Sequence, residues 1–86
     1  MEIKKDFIHR EIAGDHVLVP VGRTVSEHPG LFPMTETAAR IWDLLPDAEC
    51  EDQIIEKLLE EYEIDRETVQ SDVKEYLKFL RDLGII

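Results

Sequence analysis

Pro29-Gly30-Leu31-Phe32-Pro33-Met34-Thr35-Glu36-Thr37-Ala38-Ala39-Arg40-Ile41-Trp42-Asp43-Leu44-Leu45 is the stretch that decides the fold. It reads as a short apolar strand running straight into a helix. Thr35 is a good N-cap, and Ala38, Ile41, Trp42 and Leu45 recur at helical spacing behind it. Pro33 has no N–H to give to a ladder. The strand Leu31 to Met34 therefore belongs at a sheet edge, where unpaired backbone groups stay open to another chain.

The chain changes character across this stretch. Upstream, β-branched and aromatic residues alternate with Gly and Pro punctuation; downstream, residues 35 to 83 are helical throughout. Strands first and helices second indicate an α+β or small winged architecture, not alternating βαβ units. Phe7 to Ile12 alternates as a strand, with Ile8 and Ile12 on one face and the polar residues mostly on the other. Ala13-Gly14-Asp15 supplies turn chemistry, and His16 to Val21 returns as the second strand of a hairpin. Gly22 ends it. Arg23 to Pro29 reads as a loop in which Thr24-Val25 extends a strand.

Pro46 stops the first helix after Leu45. The second starts near Cys50, which occupies the place of a capping hydroxyl, with Gln53 at the position of its capping-box partner. Ile54, Ile55, Leu58, Leu59 and Tyr62 form its apolar stripe. Asp65 caps the third helix and Gly84 ends it. Val69, Val73, Tyr76, Leu77, Leu80 and Leu83 fall within one stripe about 120° wide, which is its buried face. Asp72 and Phe79 lie on the flank of that stripe, where core packing does not account for them.

Composition narrows the functional classes. The 86 residues make a single domain, 1–86, with 1–6 as a loose N-terminal tail, and leave no room for a deep cleft between lobes. Twenty acidic residues against ten basic ones give a net charge of −10, which repels nucleic acid and anionic lipid. The single cysteine, Cys50, rules out an internal disulfide and a cysteine-based metal cluster. No signal peptide and no span of apolar residues is visible, so the expected location is cytoplasmic. His9, His16 and His28 lie in the strand region without ligand spacing or a fixed carboxylate partner, and read as surface residues; no metal, cofactor or catalytic residue is assigned. Glu56 and Glu60 sit on a solvated face, without the burial that would tune a general acid.

The combination of Arg10-Glu11-Ile12-Ala13-Gly14, Val17-Leu18-Val19-Pro20-Val21-Gly22, Gly30, Met34-Thr35-Glu36-Thr37-Ala38, Ile41-Trp42, Leu44-Leu45, Tyr62, Asp72-Val73, Tyr76-Leu77, Leu80 and Leu83-Gly84 resembles the PqqD family. These small proteins were first associated with pyrroloquinoline quinone biosynthesis, and their fold recurs as the precursor-peptide recognition element of ribosomal peptide modification pathways. The resemblance implies a winged helix-turn-helix-like domain of three N-terminal antiparallel strands followed by three helices. It further implies a non-catalytic peptide chaperone for natural product biosynthesis. A precursor's leader would add as a strand along Leu31, Phe32 and Met34, facing Asp72, Tyr76 and Phe79, and be presented to a modifying enzyme, often a radical SAM protein. Phe79 departs from the Lys or Glu expected at its position, and it either deepens the groove or forms a homodimer contact with the open edge. The Leu-Val-Pro-Val-Gly run is closer to the broad branch of the family, so pyrroloquinoline quinone is not assigned as the product. The rivals are a winged-helix DNA-binding regulator, for which Lys74, Lys78 and Arg81 are offset by Asp72, Glu75 and Asp82, and a self-associating interaction subunit.

Overall fold

A computed structural model describes all 86 residues. Three antiparallel strands, β1 (Phe7–Ile12), β2 (Asp15–Pro20) and β3 (Phe32–Met34), form one sheet in the order β1-β2-β3. A single turn of helix, α1 (Thr24–Glu27), bridges β2 and β3. Three longer helices follow: α2 (Glu36–Leu44), which tightens into a 3₁₀ turn at Leu45–Asp47, then α3 (Glu51–Glu61) and α4 (Arg66–Asp82).

The hairpin turns on Ala13 and Gly14, both with positive φ (52° and 87°), a backbone whose twist matches that of the strands it joins. Ile8 and Ile12 do share a face of β1, but it is the outer face. They are 41% and 54% exposed, because Phe7 pairs with Pro20 and His9 with the fully buried Leu18, so the odd positions of β1 share the core side. Thr24-Val25 extends no strand. The Thr24 hydroxyl accepts the Asp6 N–H at 2.9 Å, and the buried side chain anchors a turn whose N–H groups reach back to Val21, Gly22 and Arg23. This tertiary bond outweighs the β-propensity of two branched residues.

Thr35 caps α2 by accepting the Ala38 N–H at 3.1 Å, and Asp65 caps α4 by accepting from both the N–H and the hydroxyl of Thr68. At α3 the Cys50 side chain makes no capping bond, and Gln53 accepts from Glu49 N–H, one residue earlier than a capping box requires. Gly84 (φ 73°) closes α4. Its N–H donates to Arg81 and that of Ile85 to Leu80, the pair of bonds that satisfies a helix's last carbonyls and drops Ile85 into the core.

Leu18 from the sheet, Ile41, Trp42 and Leu45 from α2 and its extension, Ile54, Ile55 and Leu58 from α3, and Val69, Val73, Leu77 and Leu80 from α4 meet in one core. Residues 1–6 are not the loose tail expected of them. Met1 and Ile3 pack against that core, the Lys4 N–H donates to Ile85 O at 2.6 Å, and Lys5 pairs with Glu27. The polar composition of the segment conceals two apolar contacts placed two residues apart.

Candidate functional site

Where β3 hands over to α2, the sheet stands away from α4 and leaves a trough of about 520 Å³. Pro33 and Met34 form one wall, Thr35, Thr37, Ala38 and Ile41 form the floor, and Asp72, Glu75, Tyr76 and Phe79 form the other wall. The spacing explains the walls. Residues 72, 75, 76 and 79 are three and four apart, so they form one flank of α4, and Thr35, Ala38 and Ile41 do the same for α2.

Of the six residues singled out from the sequence, Met34, Asp72, Tyr76 and Phe79 line the trough. Phe32 stands behind it. Its ring is half-buried on the core side of β3, with centroids 6.0 Å from Phe79, 5.8 Å from Phe7 and 6.1 Å from His28, so it supports the aromatic wall from beneath. Leu31 lies just outside the ladder and is 55% exposed. Sequence reasoning missed Glu75 and the α2 floor. The signal for the floor was present, since a helix capped at the end of an edge strand must turn its first face towards that edge.

The aromatic wall is ordered by mutual packing. Tyr76 stacks on Phe79 with centroids 6.1 Å apart and an interplanar angle of 19°, and its hydroxyl donates to Met34 Sδ at 3.2 Å across the trough. Burial, with the Asp43 carboxylate adding to it, pushes the Tyr76 phenol well above its ordinary value. Asp72 and Glu75 have no cation within 4.0 Å. The trough thus combines an apolar bed with two unpaired carboxylates.

The backbone of β3 adds direction. Val21 donates to Asp6 O, and bonded pairs alternate with non-bonded ones along an antiparallel ladder, so Arg10 and Val17 form a bonded pair. Val17 is thereby turned to β1, and β2 bonds β3 through His16/Met34 and Leu18/Phe32. Pro33 faces the open edge. It offers a carbonyl there and no N–H, which is the position where a strand tolerates proline.

The histidines are not separate surface residues. His9 Nδ1 lies 2.9 Å from Asp43 Oδ1, and His9 Nε2 lies 2.9 Å from His16 Nδ1. If His16 donates to His9 and His9 to Asp43, one proton arrangement satisfies all three groups. This chain ties the hairpin to α2 and sets His16 beside Met34 in the ladder. His28 packs against Phe7 and Phe32.

An open edge strand facing an aromatic helix flank over an apolar bed defines a domain shaped to take up an extended segment. The family described as Coenzyme PQQ synthesis protein D (PqqD) matches residues 15–86, and the chain belongs to that family. No curated protein matches it. Among solved structures, TbiB1 in complex with the TbiA(beta) leader peptide is similar, with 26% identity, a TM-score of 0.72, and coverage of 99% of this chain and 93% of that one. No helix is long and apolar enough to cross a membrane.

Proposed function

We propose that this domain is a recognition element of a ribosomal peptide modification pathway, which binds the leader of a precursor peptide by strand addition at β3 and presents it to a modifying enzyme without doing chemistry itself. The observation that carries the reading is the trough itself: an open strand edge and an aromatic flank converge on one apolar bed. The family match and the likeness to a leader-bound structure support it.

The leader lies antiparallel to β3. Its backbone pairs with the edge at Leu31 and with the Pro33 carbonyl, and one apolar side chain enters between Met34, Tyr76 and Phe79. Phe32 holds that wall in place. Asp72 accepts a cationic or hydrogen-bonding leader side chain, and Glu75 adds to the same field. Ordering a disordered leader costs about 2–5 kcal/mol, so main-chain pairing must be joined by at least one buried anchor. Holding the precursor at the enzyme raises its effective concentration there. A radical SAM protein is the class of partner enzyme this reading favours.

The test uses synthetic peptides tiled through the short open reading frames encoded beside this chain's gene, titrated by fluorescence anisotropy. One N-terminal segment should bind, and Phe79→Ala should weaken it by about tenfold or more, the loss typical of an interfacial aromatic anchor. Phe79 is 42% exposed, so the variant should keep its helix content. Equal affinity in the two proteins, or amide shift changes confined to the surface away from β3 and α4, would remove the trough as the site.

A further inference from the structure

The sheet has a second open edge, and it is the longer one. Ile8, Arg10 and Ile12 exchange their bonds with β2, and Asp6 turns the same way, its carbonyl accepting from Val21 and its N–H donating to Thr24. The N–H and C=O groups of Phe7, His9 and Glu11 therefore all point away from the sheet. No turn, cap or side chain elsewhere in the molecule pairs with them. Unlike β3, this strand carries no proline within its span.

The side chains along that edge are self-complementary. Read from Lys5 to Glu11, the order is cation, anion, Phe, Ile, His, cation, anion. Turned antiparallel about Ile8, Asp6 meets Arg10 of a second copy, while Lys5, at a bend before the strand and paired with Glu27 of its own chain, lies towards Glu11 of that copy. Asp6, Arg10 and Glu11 form no ion pair within the chain. In this register Phe7 and His9 of opposite copies become a bonded pair, which consumes the free edge groups, while Ile8 meets Ile8 in the non-bonded pair where side chains approach most closely. A slide of two residues in one direction loses the ion pairs, setting Arg10 against Ile8 and Asp6 against Ile12, and a slide of four opposes Arg10 to Arg10. The register is thus selected by charge.

We propose that β1 is a self-association edge: two copies pair their β1 strands antiparallel about Ile8, giving a continuous six-stranded sheet, three strands from each copy. Ile8, 41% exposed in the single chain, is covered at the dyad, and Val19, its partner on β2, extends the apolar strip on either side. Both β3 edges lie at the far ends of the joined sheet, so two troughs remain open. The net charge of −10 on each copy opposes association. At physiological salt that opposition is screened beyond about 8 Å, and within that range of the seam the charge pattern is complementary.

The experiment is a charge swap read by sedimentation equilibrium. Asp6→Arg alone and Arg10→Asp alone each turn two symmetric attractions into repulsions, and each should weaken dimerisation by about tenfold. Mixing the two variants opposes Arg to Asp at both pairs, so a heterodimer should form with affinity restored to that of the wild type. Far-ultraviolet circular dichroism confirms that each variant is folded. In a Cys50→Ser background, Ile8→Cys should cross-link under mild oxidation, because a non-bonded pair sets Cα atoms about 4.5 Å apart, within disulfide reach; Ile12→Cys should not. A wild-type chain that stays monomeric at the highest concentration reached, a mass unaffected by the charge reversals, or cross-linking at position 12 in place of 8 would each overturn the proposal. None of these outcomes bears on leader binding at β3.

Discussion

Tyr76 is the residue at which the trough's structure and its chemistry meet. Its ring forms the stacked wall with Phe79, and its hydroxyl crosses to Met34. The phenol is raised above 10.0 by burial first and by Asp43 second, so the folded state holds its proton more tightly than the unfolded chain does. A group with a raised folded pKa contributes stability that is complete below its unfolded value and is lost as pH rises beyond it. Urea midpoints measured at rising pH should therefore fall above about pH 10, and Tyr76→Phe should flatten that part of the decline. A decline of the same steepness in both proteins would mean that other groups cause it. The sequence placed Tyr76 in the buried stripe and Asp72 and Phe79 beside it, because helical periodicity fixes angle. It did not bring His9 to His16 and Asp43, since that contact depends on which face of the hairpin meets α2, and periodicity within one strand does not choose a face.

At the scale of elements, the hairpin and the edge strand show why some of the fold was legible and some was not. Turn residues and caps are local, so Ala13-Gly14, Thr35, Asp65 and Gly84 announce their roles. The phase of β1 is not local. Its two isoleucines suggested a core face, yet Leu18 recruits Phe7 and His9 to the inside through cross-strand register. Thr24 likewise became the anchor of α1 only because Asp6 lies opposite it. The same register gives β3 its polarity, with Pro33 offering an acceptor and no donor to an incoming strand. Pro33→Ala should add one edge N–H and, through one net hydrogen bond worth about 0.5–1.5 kcal/mol, tighten leader binding by about two- to tenfold. The variant should also aggregate more readily, since proline blunts an exposed edge. Unchanged affinity with unchanged solubility would show that the leader does not pair along this edge.

At the scale of the whole molecule, charge decides which partners approach. The chain carries 20 acidic and 10 basic residues, and the carboxylates of Asp72 and Glu75 stand unpaired at the trough. A summed field of this kind acts over distance, steering a cationic segment inward and raising its association rate, whereas the apolar bed acts at contact and governs departure. The two contributions separate under salt. For a leader peptide containing Lys or Arg, stopped-flow association should slow as ionic strength rises while the dissociation rate changes little, and Asp72→Asn with Glu75→Gln should reduce the salt slope without abolishing binding. The same double variant should leave thermal stability nearly unaltered, because neither carboxylate has a partner to lose. A duplex DNA probe offers the opposite test: a winged-helix regulator would hold it more tightly as salt falls, while this surface should repel it under those very conditions. If association with the leader were insensitive to salt, recognition would rest on strand pairing and the aromatic wall alone, and the acidic rim would have no part in selecting the peptide.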